Sequence, residues 1–101
     1  MSERYEVSAE AQNDLYEIWC WIAADSVDLA NRIEGEFHDL FASLGRMPGQ
    51  GSVRKDLTKR PVRFFSMYSF LVVYQLDTRP IRIMAVLRGR RNVKRILRGR
   101  L

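Results

Sequence analysis

Apolar residues recur along this chain with two different periods. Ala11, Leu15, Ile18 and Ile22 fall on one face at helical spacing, and Ala30, Ile33, Phe37, Leu40, Phe41 and Leu44 form a second such stripe. Ser8 supplies an N-cap to the first, with Glu10 in its first turn, and Asp25-Ser26 supplies a cap to the second. Gly45 and Pro48 are expected to end the second helix. The link between them is short, which predicts an antiparallel helical hairpin. Gly35 sits inside the second stripe at a cost to helix stability, and a close backbone contact would explain it.

From Pro61 onward the period becomes two. Val62–Met67, Phe70–Gln75 and Ile81–Leu87 read as strands, with turns at Tyr68-Ser69 and Asp77–Pro80. They predict an antiparallel meander in which Ile81, Ile83, Ala85 and Leu87 share one face and Arg82 lies on the other. The short alternating run Arg4–Val7 is expected to join this sheet. After Leu87 the apolar run ends in arginines. Gly89 then marks a turn, and Val93, Ile96 and Leu97 recur at i, i+3, i+4, the spacing of a short amphipathic basic helix. Neither a helical hairpin nor a small sheet can bury its apolar face alone, so the two must stack. The predicted class is α+β, in the order β-α-α-β-β-β(-α), with the hairpin on a small, mainly antiparallel sheet and one domain over residues 1–101.

Charge changes the picture more than composition does. The chain carries a formal net charge of +5, but residues 1–44 hold two basic and ten acidic side chains, whereas residues 45–101 hold fifteen basic and two acidic. Seven of the basic residues lie between Arg88 and Leu101, with no acidic one among them. Such asymmetry signals a partner, either nucleic acid or an acidic protein. The single cysteine, Cys20, excludes an intrachain disulfide framework and fits a reducing compartment. With neither a secretory signal pattern nor an apolar run of membrane-spanning length, the expected location is the cytoplasm, with no membrane partner.

Candidate chemistry is confined to the basic residues. One Cys and the lone His38 give no metal-ligand set, no glycine-rich phosphate loop follows a strand, and no Ser/His/Asp or Cys/His arrangement stands out. No metal and no cofactor are expected. Arg63, Arg82 and Arg88 lie in or beside strands, and Arg90, Arg91, Lys94 and Arg95 follow. Antiparallel pairing is expected to bring Arg63 near the Arg88 end. Arginine's planar fork suits both phosphate and carboxylate. Trp19 and Trp21 flank the first helical stripe; both are expected in or near the core, with one of them able to meet a partner, for which Trp21 is taken as the candidate.

Several strings in order, Ala11-x3-Leu15-x2-Ile18, Leu44-Gly-Arg-Met-Pro48-Gly, Arg54-Lys-Asp-Leu57, Arg63-Phe, Tyr74 and Val86-Leu-Arg-Gly-Arg-Arg91, resemble the RelE/ParE toxin superfamily over about residues 5–98. The resemblance implies a toxin of a type II toxin–antitoxin system, neutralised by an acidic ParD-like antitoxin and tied to operator DNA only through that antitoxin. RelE-like members cleave messenger RNA on the ribosome without a metal, using basic residues and a proton-moving side chain after the last strand. Here Arg90–Leu97 holds no Tyr, His, Glu or Asp, Lys55 and Lys59 are weak donors, and Tyr74 reads as a sheet residue. The string Leu87–Leu97 looks like the ParE C-terminal motif, carried by Arg88, Gly89, Arg91 and Asn92. The ParE-type resemblance implies inhibition of DNA gyrase by binding, without enzymatic activity. The alternatives are a RelE-like endoribonuclease, for which Arg63, Arg82 and Arg88 would hold phosphate, and an inactive or regulatory basic binding module. The residues expected at the target or antitoxin surface are Trp21, Arg63, Arg88, Gly89, Arg90, Arg91, Asn92, Lys94 and Arg95.

Overall fold

Two serines start the helical hairpin. Ser8 Oγ accepts the Ala11 N–H at 3.0 Å and begins α1 (Ala9–Ala23), and Ser26 Oγ accepts the Leu29 N–H at 3.1 Å and begins α2 (Val27–Arg46). Each satisfies an amide that the helix itself leaves open. Gly45 does not end α2: the helix runs through it to Arg46, and Met47 closes it with its N–H on the Ser43 carbonyl. Pro48 then opens a short 3-10 turn, Pro48–Gln50. Gly35 has no close contact, because a Cβ placed there would meet nothing within 4 Å.

The computed structural model describes residues 5–89 and 92–101. Its remaining elements are β1 (Tyr5–Val7), β2 (Val62–Met67), β3 (Phe70–Gln75), β4 (Ile81–Arg88) and α3 (Val93–Arg100). The four strands form one sheet in the order β1-β4-β3-β2. β2, β3 and β4 are the antiparallel meander, and β1 lies parallel to β4, pairing Tyr5 with Ile81 and Val7 with Ile83. The β2–β3 turn needs a left-handed residue and places Tyr68 there, at φ 57°.

One irregularity decides what faces where. β3 pairs Val73 with Ala85 but Tyr74 with Ile83, so Met84 is an extra residue in β4. A bulge of this kind reverses the side-chain alternation beyond it. The expectation of one face through Ile81, Ile83, Ala85 and Leu87 is therefore corrected. Ile81, Ile83 and Val86 pack towards the hairpin, with Ala11, Leu15, Ile18, Phe37, Phe41 and Leu44, whereas Ala85 and Leu87 pack on the opposite side.

That opposite side forms a second, smaller core. Val62, Phe64, Val73, Ala85 and Leu87 meet Leu97 of α3, with Val93 and Ile96 partly buried beside it. An eight-residue helix is marginal on its own. Burying Leu97, worth about 1.5–3 kcal/mol, is what docks it. The fold thus has three layers: an acidic helical hairpin, the sheet, and a basic helix. Among the described residues no helix is long and apolar enough to cross a membrane.

Candidate partner-binding site

The bulge at Met84 turns Arg88 towards the hairpin. There its guanidinium lies 4.4 Å from the centre of the Trp21 ring, at the end of α1. Trp21, expected in or near the core and taken as the tryptophan able to meet a partner, is 57% exposed and so not a core residue, and Arg88 lies over its face. A cation over an indole at such a site contributes about 0.5–1 kcal/mol and fixes the direction of a long side chain. Trp19 is the half-buried tryptophan, donating from Nε1 to Asn31 Oδ1 at 2.9 Å.

Gly89 follows at φ +69°, a backbone region that other side chains rarely adopt, and its N–H bonds the Ser69 carbonyl at 2.9 Å. This turn separates β4 from α3. Asn92 stands at the N-cap of α3 without a side-chain cap bond, and Lys94 and Arg95 are exposed on the helix. Arg90 and Arg91 lie outside the described residues.

Two concave surfaces flank Arg88. One, of about 380 Å³, runs between α1 and α3 and is lined by Ile18, Trp21, Val86, Arg88 and Ile96, with Asp14, Glu17 and Arg100 around it. The other, of about 780 Å³, lies on the far side of Gly89 and is lined by Arg54, Ser66, Tyr68, Asn92 and Lys94. Arg54 is already paired with Asp56, whose carboxyl is held below its usual range by that guanidinium. Tyr68 donates its hydroxyl to the Glu36 carboxylate, which pushes its phenol above the ordinary range. Tyr68 is therefore a poorer proton donor than a free tyrosine. Sequence reasoning missed its place beside Gly89; only the turn signal at Tyr68-Ser69 pointed there.

The three arginines proposed to hold a phosphate do not converge. Strand register pairs Arg63 with Tyr74, and Tyr74 with Ile83. Arg63 therefore sits near the start of β4, not near Arg88; four residues of β3, from Tyr74 to Phe70, at about 3.3 Å each separate those levels. The expectation that pairing would unite them is corrected, because β2 runs antiparallel to β3 and its Met67 end, not its Arg63 end, approaches Arg88 through Phe70. Arg82 is exposed between Ile81 and Ile83, which pack on the hairpin, so it points to the other side. Arg63 is engaged in holding the loop after α2: its Nη1 donates to the Gly51 carbonyl at 2.8 Å. Beside it the wholly buried Tyr74 donates to the Pro48 carbonyl at 2.6 Å and accepts the Gly51 N–H at 2.8 Å. His38 is exposed and hydrogen-bonded to the Tyr5 hydroxyl through Nδ1 at 3.0 Å. Among the described residues no three His, Cys, Asp or Glu side chains gather to hold a metal.

A helical hairpin on a small mixed sheet, with an arginine stacked on tryptophan at the end of the last strand, defines a small α+β fold. The chain belongs to the ParE toxin family of type II toxin–antitoxin systems (parDE), whose sequence model matches residues 5–93. Among solved structures it is similar to a chain from the chromosomal ParDE toxin–antitoxin system of P. aeruginosa, with a TM-score of 0.70 at 17% identity, covering 85% of this chain and 95% of that one. At that identity the likeness speaks for the fold. No curated protein matches the chain.

Proposed function

We propose that this chain is a toxin that acts by binding DNA gyrase, and that an acidic antitoxin with a ParD-like role neutralises it and links it to operator DNA. The observation that carries the reading is the separation of Arg63, Arg82 and Arg88. A phosphodiester can be held for cleavage only by groups that reach one phosphate. Here Arg63 braces a loop, Arg82 points away, and Arg88 lies on Trp21. What the last strand offers is a fixed cation on an aromatic platform, suited to a protein carboxylate or a backbone phosphate. The two-sided charge distribution supports the antitoxin half of the reading, because an acidic chain is drawn to the sheet and α3 and repelled by the hairpin.

The experiment is a gyrase assay. Purified protein is expected to block supercoiling or to accumulate cleaved plasmid, and Arg88→Ala to weaken either effect. No effect at micromolar protein, together with ribosome-dependent cleavage of messenger RNA, would replace this reading with a ribonuclease one.

A further inference from the structure

α3 runs back across the face of the sheet that the hairpin leaves open, from the Tyr68 turn to the loop before β2. Two concavities lie end to end along it and share Leu57 and Lys94. The first is the one of about 780 Å³ beside Tyr68. The second, of about 270 Å³, is floored by Leu57, Leu97 and Leu101 and rimmed by Thr58, Arg60, Lys94 and Arg98. Together they make a track about as long as β2, whose six residues span about 20 Å. Lys94 and Arg98 stand one turn apart on it, about 6 Å along the helix. Arg60, Lys94 and Arg98 are all exposed, and none of them joins an ion pair among the described residues. The carboxylates nearby are engaged. Asp56 is held by Arg54, and Glu36 by the Tyr68 hydroxyl and by Arg32 at 3.8 Å.

We propose that this track is a second binding surface, which holds a single strand of nucleic acid by its phosphates and by one stacked base. It stands apart from the Arg88–Trp21 stack, which faces the hairpin, and does not depend on the gyrase reading. Charge alone would admit any polyanion; the neutral groups choose among them. Hydroxyl and amide side chains bond phosphate oxygens, and Thr58, Ser66 and Asn92 line the two concavities. Thr58 Oγ1 accepts the Arg60 N–H at 3.2 Å, which leaves its own proton to donate. Tyr68 is 62% exposed and its hydroxyl is bound to Glu36, so what it offers is a fixed ring face. A base stacks on such a face whatever its identity. An acidic peptide would use the cations and leave the ring idle. A lipid surface would need the apolar face of α3, but Leu97 is buried against the sheet, with Val93 and Ile96 partly buried beside it. A duplex, with a persistence length of about 50 nm, is too stiff to follow a concave path.

The test is binding of the whole chain to fluorescently labelled oligothymidylate of about ten nucleotides, followed by anisotropy. Saturable binding at micromolar protein in low salt is expected. The logarithm of the affinity should fall with the logarithm of salt at a slope of about −2, from about 0.7 per phosphate for three unpaired cations. Arg60→Ala, Lys94→Ala and Arg98→Ala should each weaken binding severalfold and flatten that slope, and Lys94→Arg should keep both as they are in the parent. Tyr68→Ala should weaken binding on the order of tenfold at an unchanged slope, whereas Tyr68→Phe should bind like the parent. Arg46→Ala, which removes an exposed charge at the end of α2, should change little. Oligouridylate of equal length should bind nearly as well, because phosphate and ring face are common to both. Thermal melts establish that each variant folds, and the parent's salt slope needs no variant. Four results would each overturn the proposal: no binding, a loss in Arg46→Ala as large as in Arg98→Ala, tighter binding of a duplex than of the strand, or equal displacement by poly-L-glutamate of matched charge. Parent-like binding by Tyr68→Ala would do the same, since the cations alone do not select a nucleic acid.

Discussion

Arg100 grips Asp14 with both guanidinium nitrogens, at 2.6 and 2.9 Å, across 86 residues of chain. The pair joins α3 to α1 around the edge of β4, and Arg100 Nη1 also reaches the Met84 carbonyl at 3.3 Å. Both side chains are largely out of water, at 20% and 11% exposure, so the pair is not an ordinary surface bridge. Removing one member leaves the other charge nearly buried. Arg100→Ala should therefore cost about 3 kcal/mol in chemical denaturation, and Asp14→Leu combined with Arg100→Leu should recover much of it. Equal destabilisation by the single and double variants would show that the packing of Arg100, not its charge, matters.

Tyr74 ties the sheet to the loop after α2 through two hydrogen bonds, and burial holds its phenol above the ordinary value of 10.0. Tyr74→Phe should cost about 1–3 kcal/mol, because the Gly51 N–H and the Pro48 carbonyl lose their partner. The phenol also predicts alkaline sensitivity. Below the ordinary phenol range folded and unfolded chains are both protonated and the full stabilisation is present. As pH rises through that range the unfolded chain ionises first, so stability falls. Tyr16 and Tyr68 are pushed the same way. Melting curves between about pH 9 and 11 should thus be less steep in pH for Tyr74→Phe than for the parent, and identical slopes would refute the assignment to Tyr74.

Gly51 lies under the same tyrosine. A Cβ there would stand 2.6 Å from the Tyr74 hydroxyl and 2.9 Å from the Phe64 carbonyl. Gly51→Ala should consequently lower the melting temperature, and Tyr74→Phe in the same chain should relieve part of the loss by removing the nearer atom. A neutral Gly51→Ala would mean that the loop can shift without cost.

Gly35 predicts the opposite sign. It lies mid-helix, and nothing stands within 4 Å of its missing side chain. Gly35→Ala should stabilise by about 1 kcal/mol, read as a shift in denaturation midpoint at constant slope. If stability rises but partner binding falls, the glycine serves a partner's close approach.

Much of the fold was legible because it depends on local periodicity and caps. β2 and β3 begin and end where the alternation and turn residues placed them, and Ser8 and Ser26 cap as their type predicts. The β4 faces were not legible. A bulge adds one residue without any composition signal in Arg82-Ile-Met-Ala, and only pairing with β3 reveals it. The same limit applies to the site. Arg88 was singled out from its basic neighbourhood, but Trp21 beneath it, and Asp14 opposite Arg100, are tertiary relationships between residues far apart in sequence. Arg63 was misplaced for a related reason: an arginine in a strand reads alike whether it braces a carbonyl or waits for a ligand.

Met84 gives the toxin's reach an arithmetic origin. Were Met84 paired and β4 regular throughout, Arg88 would emerge on the α3 side, and Leu87 would stand where Trp21 now finds its charge. The direction in which this chain offers its principal arginine is therefore set by a count, one extra pleat, and not by any side chain near the arginine. Deletion of Met84 should therefore remove the bulge yet leave Arg88 facing Trp21, because Ile83 and Ala85 would then stand on consecutive pleats opposite Tyr74 and Val73.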